Sequence, residues 1–462
     1  MKTRLAKIAY GLGNLGTALF FHTIGTYLIF FYTDVVRLAP GFVSLAFAIS
    51  YGVWNAINDP LVGYLSDRTR SRWGRRIPYI LFGAPLTFLC FVLVWSPPLG
   101  GQPLATPSHL GVFLYFAVVI ALFDLVYTAT SVAYIALFPE MYLKLEERTE
   151  VSIYRQLAAM IGSACALAVT PLITSSLAER VGTLRGWTGA GIVLGLVGAG
   201  AFWISLLGSR ERKELTSREA MPLFPAFRAT LTNRSFLTFV GANLMICYIW
   251  SWLSAMVPFF TKYIIGAGEQ QMSLLFLGMF VTSMAFYPVW RKVALRLGSK
   301  GTLALAVSLF VIFMSLVLVV RDLPQALVMM LLVGAANSGI TLVREILLSD
   351  VIDEDELRTG LRREGNYFGV NAFVERLAMV LVGGSTSLVL GLSGYTPEVT
   401  PQPASVVWGL RLGMSLLPLI ALVVFVAALR YYPLDKERVI ELKATLEKLH
   451  QGKTEGLETV AQ

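Results

Sequence analysis

"NAINDPLVGYLSDRTRSRWGRRIP", residues 55–78, starts as an apolar helix carrying Asn55, Asn58 and Asp59 and ends as a block of arginines. A carboxylate inside a greasy helix, with dense positive charge just past its end, is the pattern of a membrane span followed by the loop that orients it. The whole chain has the matching composition. Of its 462 residues 56% are hydrophobic and 15% charged, with a mean hydropathy of +0.66. Soluble domains carry about 25% charged residues. A bilayer-crossing helix needs about 20 mostly apolar residues. Such windows fall at 8–34, 41–64, 78–96, 110–138, 151–175, 187–207, 237–264, 271–290, 301–320, 324–348, 367–392 and 405–432. They predict twelve spans. The first is too long for a cleavable signal peptide and carries Tyr27, Tyr32 and Asp34. Cys90, Cys165 and Cys247 all fall inside predicted spans, without CxxC or metal-ligand spacing, and read as small packing residues.

The net charge of +9 is distributed for topology, not for nucleic acid. Lys and Arg crowd alternate connections, at 68–76, 144–148, 210–234, 291–300 and 358–363, and both tails. "SPPLGGQPLATPSHL", "GAGEQQ" and "SGYTPEVTPQPAS" have none. Lys/Arg excess marks cytoplasmic loops, so both termini are expected inside, in a multi-pass protein of the plasma (inner) membrane. The longest polar connection, 208–236, divides the chain into halves at 1–207 and 237–434, with a tail at 435–462. "LFPEMYLKLEERTE" (137–150) and "LLSDVIDEDELRTG" (347–360) align at a constant offset of 210 residues, matching Glu140 with Asp350. "DRTRSRWGRR" is echoed more weakly by "WRKVALRLGSKG". The expected fold is all-α, two pseudo-symmetric six-helix bundles related as parallel repeats, with substrate held between them.

Polar side chains deep in a bilayer are costly, so each is a candidate for function. Asn55, Asn58 and Asp59 share one helix face at i, i+3 and i+4, and their oxygens suit a small hard cation or a proton. The duller alternative is an interhelical clamp. Asp124, Tyr127, Thr128 and Ser131 form a second stripe on span four, facing the first, unless Arg155 on span five simply neutralises Asp124. Arg155 either snorkels to the surface or holds a polar group of the substrate. Glu375 and Arg376 are adjacent on span eleven and point about 100° apart, so one is expected to serve the cavity and the other a neighbouring helix. Arg344 and Glu345 read as interface or gate salt bridges. Trp250, Trp252 and Tyr248 offer stacking surfaces for a sugar, and His22 a cavity donor, against the commoner uses of interfacial belt and packing. No P-loop, HExxH, GxSxG or Rossmann glycine pattern is present, so neither ATP-driven transport nor an enzyme is expected.

These residues resemble the glycoside–pentoside–hexuronide:cation symporters of the major facilitator superfamily, the melibiose permease family. The resemblance runs through nearly the whole chain. It rests on "YGLGNLG" and "FFYTDV" in span one, and on "NAINDPLVGYLSDRTRSRWGRRIPYI" across spans two and three. "FDLVYTATSVAYIALFPEM" in span four and "SDVIDEDELRTGLRREGNYFG" entering span eleven complete it. It implies a cation site at Asp59, Asn58 and Thr128, with Asn55 and Asp124 beside them, and a sugar site between the halves. Arg155 matches a sugar-holding arginine of the family, and Arg376 stands where those members have a cavity lysine. The chain departs from the family at Asn55, where a second acid is usual, and at Ala18 and Ser131, where sugar-gripping aspartates are usual. Vertebrate lysolipid transporters share the fold and the span-two aspartate.

The expected function is therefore cation-coupled symport, with Na+ or H+ as coupling ion and no other cofactor, of a small polar solute: a glycoside, hexuronide or related carbohydrate. A lysolipid or other amphiphile is the alternative. Substrate contacts are expected from Arg155, Tyr127, Ser131, Arg376, His22 and Trp250, with Arg155 favouring an acidic sugar over a neutral one. A cytoplasmic gate is expected among Asp67, Arg75, Glu140, Arg148, Asp350, Asp353, Arg358 and Arg363, pairing across the halves when the protein opens outward. The partners expected are the solute, the cation and the lipid bilayer, with no nucleic acid, for a monomer. The charged segment 435–451 has the apolar spacing of a helix that lies on the membrane surface or packs on a loop.

Overall fold

A computed structural model describes residues 3–55, 57–58, 61–62, 65, 69, 71–107, 109–142, 145–211, 232–359, 364–397, 399 and 401–446, leaving aside the side chains of 139–140, 145–146, 148–149, 364–366 and 368. Ten of its helices are long and apolar enough to cross a membrane. One of them, Glu269–Leu318, doubles back at Gly298 (φ 72°) and so supplies spans eight and nine. The shorter Pro40–Trp54 is the start of span two, which makes twelve. The others are span one (Arg4–Val35), three (Ile77–Val94), four (Leu110–Phe138), five (Glu150–Val181), six (Thr183–Gly208), seven (Arg234–Ile265), ten (Leu323–Thr359), eleven (Gly369–Ser393) and twelve (Ala404–Arg430).

Span ten outruns its hydropathy window by about a dozen residues. Past Leu348 the sequence turns acidic, yet Asp350, Val351, Ile352, Asp355 and Glu356 are buried, so the last turns are held by packing where hydropathy has faded. The tail is helical over 436–446, capped by Asp435 Oδ1 accepting from the Arg438 amide at 3.0 Å. Its Leu442 and Leu446 are buried against the bundle.

In a bilayer core without water, every backbone polar group needs a partner inside the protein. The prolines show how this is met. Pro171 has no N–H to offer Leu167, and the Tyr27 hydroxyl of span one donates to that carbonyl instead, at 2.6 Å. Pro85 likewise leaves Leu81 unanswered, and Trp203 Nε1 of span six donates to its carbonyl at 3.1 Å. Tyr10 and Tyr134 exchange hydroxyl-to-carbonyl bonds at 2.7 and 2.9 Å, tying span one to span four. Helix departures fall where function concentrates: π-turns occupy Phe31–Val35, Ala48–Trp54, Cys165–Val169 and Phe260–Ile265.

Spans one and six cross closely enough that a Cβ on Gly16 would lie 2.6 Å from the Gly198 carbonyl oxygen. Small residues at such crossings let backbones meet. Gly16→Val should therefore cost about 1–3 kcal/mol and lower the melting temperature of the purified protein. Gly200→Val, with open space around it, should leave the melting temperature unchanged. Equal melting temperatures for the two variants would refute this account of the crossing.

Candidate functional site

The polar residues of spans two and four meet. Asn55, Asn58 and Thr128 are fully buried and Asp124 nearly so. Asn58 Nδ2 donates to Asp124 Oδ2 at 2.9 Å. From span eleven, in the other half, Arg376 reaches in: Nη1 donates to Asn55 Oδ1 at 2.5 Å and Nη2 to Thr128 Oγ1 at 3.4 Å. Asn58 Oδ1 is buried without a hydrogen-bond partner among the described residues. The cluster thus holds amide, hydroxyl and carboxylate oxygens in a buried site, with an arginine from the opposite half bonded to two of them. Asp59 lies outside the described residues.

The predicted substrate ligands are less gathered. Tyr127 Oη donates to the Thr17 carbonyl at 3.0 Å and Ser131 Oγ to the Thr128 carbonyl at 3.4 Å, so both hydroxyls are committed within the first half. Arg155 does not neutralise Asp124. Its guanidinium lies over the rings of Phe138, at 4.6 Å, and Tyr134, at 5.6 Å. Those rings are ten and fourteen residues beyond Asp124 on span four, about 15–21 Å along the helix. Cation–π attraction to these two rings helps hold it there. Trp250 packs on Phe310 of span nine (6.3 Å between centroids) instead of joining the cluster. Trp252 and Tyr248 are likewise taken up within the second half, by the Gly413 carbonyl and Ser385. His22 packs beside Phe21 and lies within electrostatic reach of Arg344.

Glu375 and Arg376 do divide their work. While Arg376 enters the cluster, Glu375 faces Arg344 at 3.5 Å and accepts from Asn371 Nδ2 at 3.1 Å. Asn371 Oδ1 in turn accepts from Asn243 Nδ2 at 2.8 Å, and Arg344 reaches Cys247 Sγ at 3.5 Å. Sequence reading had Cys247 as plain packing and overlooked Asn243 and Asn371. The available signal was i, i+4 spacing, Asn243 with Cys247 and Asn371 with Glu375.

A second constellation had gone unread. Asp34, buried on the π-turn ending span one, is ion-paired to Lys262, accepts from Tyr263 and accepts from Tyr395 Oη at 2.5 Å. Burial and the Asp34 charge push the Tyr395 hydroxyl well above the usual phenol range, so it stays a donor. Beside this lock, Thr174 Oγ1 donates to Glu269 Oε2 at 2.5 Å and Ser44 Oγ to the Gly383 carbonyl at 2.5 Å. All these contacts join the two halves at the end away from the arginine-rich connections.

At the arginine-bearing end, two contacts of the predicted gate residues stay close to home. Glu211 accepts from the Arg75, Arg76 and Ile77 amides at 2.7, 2.6 and 2.8 Å, capping span three. Asp350 faces Lys443 of the tail helix at 3.1 Å. Asp353 is half-buried near the end of span ten and Arg358 is exposed there. Asp67 and Arg363 lie outside the described residues, as do the side chains of Glu140 and Arg148. The Asp34, Thr174–Glu269 and Ser44–Gly383 contacts join the two halves at the opposite end and close that mouth, and Arg376 joins them at mid-depth.

Residues 9–436 match the family model described as MFS/sugar transport protein. The chain is 25% identical to the sodium-dependent lysophosphatidylcholine symporter 1 of Mus musculus, over 96% of this chain and 88% of that one. It is 23% identical to the isoprimeverose transporter of Lactiplantibacillus pentosus, over 96% and 91%. Among solved structures, a D-xylose-proton symporter superposes with a TM-score of 0.63 at 15% identity, over 90% of this chain and 96% of that one.

Breaking the Asp34 lock should free the closed mouth. With spin labels at Ser176→Cys and Gln270→Cys in a background lacking the native cysteines, Asp34→Asn should enlarge the long-distance population about five- to thirtyfold. An unchanged distance distribution would show that Asp34 does not hold this end shut.

Proposed function

Because the chain belongs to the MFS/sugar transport family, we propose that it is a cation-coupled symporter that carries a small polar solute, of glycoside, hexuronide or related carbohydrate class, by alternating access between its two bundles. It is a multi-pass protein of the plasma (inner) membrane, and we take the monomer as the working unit. The Lys/Arg excess points to a cytoplasmic arginine-bearing end, which makes the Asp34 lock periplasmic or external and the conformation one closed to the outside.

The observation that carries the reading is Arg376 lodged among Asn55 and Thr128, beside the Asn58–Asp124 pair. A cation arriving at these oxygens competes with the guanidinium for them. Once displaced, Arg376 is free to face the space between the halves, where a solute hydroxyl or carboxylate can take its donors. Ion and solute then occupy the protein together, which is what obligatory coupling requires. Asp59, one turn from Asn55 in sequence, belongs to the same proposed cation site. One cation crossing with the solute supplies about 2.3 kcal/mol per 100 mV, enough for roughly fifty-fold accumulation.

In proteoliposomes, Asp124→Asn should lower gradient-driven accumulation at least about tenfold while solute exchange at equal concentrations persists. Accumulation at the wild-type level would defeat the assignment. Substrate class is decided by thermal shift of the purified protein with neutral glycosides, hexuronides and lysophosphatidylcholine, each with and without sodium. A sugar-dependent shift enhanced by sodium or by low pH is expected; a shift from the lysolipid alone would replace the sugar reading.

A further inference from the structure

At the arginine-bearing end of the second half, a cleft of about 880 Å³ opens between the tail helix and the ends of three spans. Arg234 begins span seven, Glu354 and Arg358 close span ten, Arg430 closes span twelve, and Arg438 and Glu441 come from the tail helix. Four guanidinium groups thus converge against two carboxylates. Among the described residues no side-chain hydrogen bond or salt bridge engages any of the four. Glu354 Oε2, in contrast, is buried with no hydrogen-bond partner. The cleft has donors in excess for an anion and one acceptor waiting for a donor.

We propose that this cleft binds a phosphate group, supplied by the headgroup of an anionic phospholipid or by a soluble phosphate, and that the bound phosphate ties the tail helix to the spans. Forked guanidinium donors match phosphate oxygens in pairs, and basic pockets at the cytoplasmic ends of spans suit anionic headgroups. The surroundings favour the lipid. Ile420 and Val423 on the outer face of span twelve are 60% and 70% exposed, an apolar wall for acyl chains. It leads directly to Arg430 and to Tyr431, 62% exposed, residue types that mark the interface. Glu354 Oε2 would accept from a headgroup hydroxyl. The tail helix that forms the far wall is already seated by Leu442, Leu446 and the Lys443–Asp350 pair, so the cleft does not wait on the ligand to form.

The test uses the full-length protein in neutral detergent, titrated with phosphatidylglycerol, with phosphatidylcholine, with glycerol phosphate and with inorganic phosphate. Phosphatidylglycerol should raise the melting temperature saturably, by about 3–5 °C, and phosphatidylcholine should not. Arg234→Gln/Arg438→Gln should remove that shift while keeping the melting temperature in phosphatidylcholine; Arg72→Gln, on the same side but outside the cleft, should keep it. A saturable shift from glycerol phosphate or inorganic phosphate equal to that from phosphatidylglycerol, lost in the same double variant, would support the phosphate site and assign it to a soluble ligand. Equal response to both lipids with none to the soluble phosphates, a full phosphatidylglycerol shift in the double variant, or equal loss in Arg72→Gln would overturn the proposal.

Discussion

The bilayer gives this chain no water, and everything else in the structure answers to that. A carbonyl released by proline must find a donor on another helix, as Leu167 finds Tyr27 and Leu81 finds Trp203. A charge must find opposite charge or dipoles, as Arg376 does across the gap between the halves. These obligations make the bundles rigid where they are met within one half. Where they are met between halves, the partner on the far side becomes something the protein can exchange for another. Arg376 is such an exchangeable bond at mid-depth, and Asp34 is one at the end.

The closed mouth also reflects the internal repeat. Span one opens the first bundle and span seven opens the second, and each ends in a π-turn, Phe31–Val35 and Phe260–Ile265. Asp34 sits on the first and Lys262 and Tyr263 on the second. Corresponding elements of the two halves therefore present opposite charge to each other. Tyr395, from the connection after span eleven, completes the grip from a third direction. The arginine-bearing end is arranged otherwise, with Glu211 folded onto the loop before span three and Lys443 on Asp350. The first contact ties the linker to the first half and the second ties the tail to the second half; neither crosses between the bundles.

Hydropathy made the twelve spans legible, because burying or exposing some twenty apolar residues is a decision no neighbour can reverse. The polar stripe of spans two and four was legible for the same reason: Asn58 and Asp124 in hydrocarbon require each other. Helix ends were less so, since the last turns of span ten are stabilised by packing of Val351 and Ile352 that no local window records. The Asp34 lock was illegible because its partners lie 228 to 361 residues away, and a lone acid at a helix end looks like any interfacial residue. Arg155 was misread as a possible counter-charge because the sequence gives its depth on span five but not the ring surface of Tyr134 and Phe138 that receives it.

A π-turn holds one more residue than the α-turn it replaces, so it is a place where a helix has absorbed an insertion without breaking. Removing one residue from 31–35 or from 260–265 would let the ordinary hydrogen-bond ladder close again. The helix would survive and the residues beyond the deletion would keep their facing, because the wider turn had absorbed the extra residue; Asp34 and Lys262, which lie inside the widened turns themselves, would be re-aimed off their partners. These two short stretches are thus sites where change in chain length is structurally mild and mechanically severe. Chains of this architecture that differ there by a single residue would fold alike yet favour opposite mouths open.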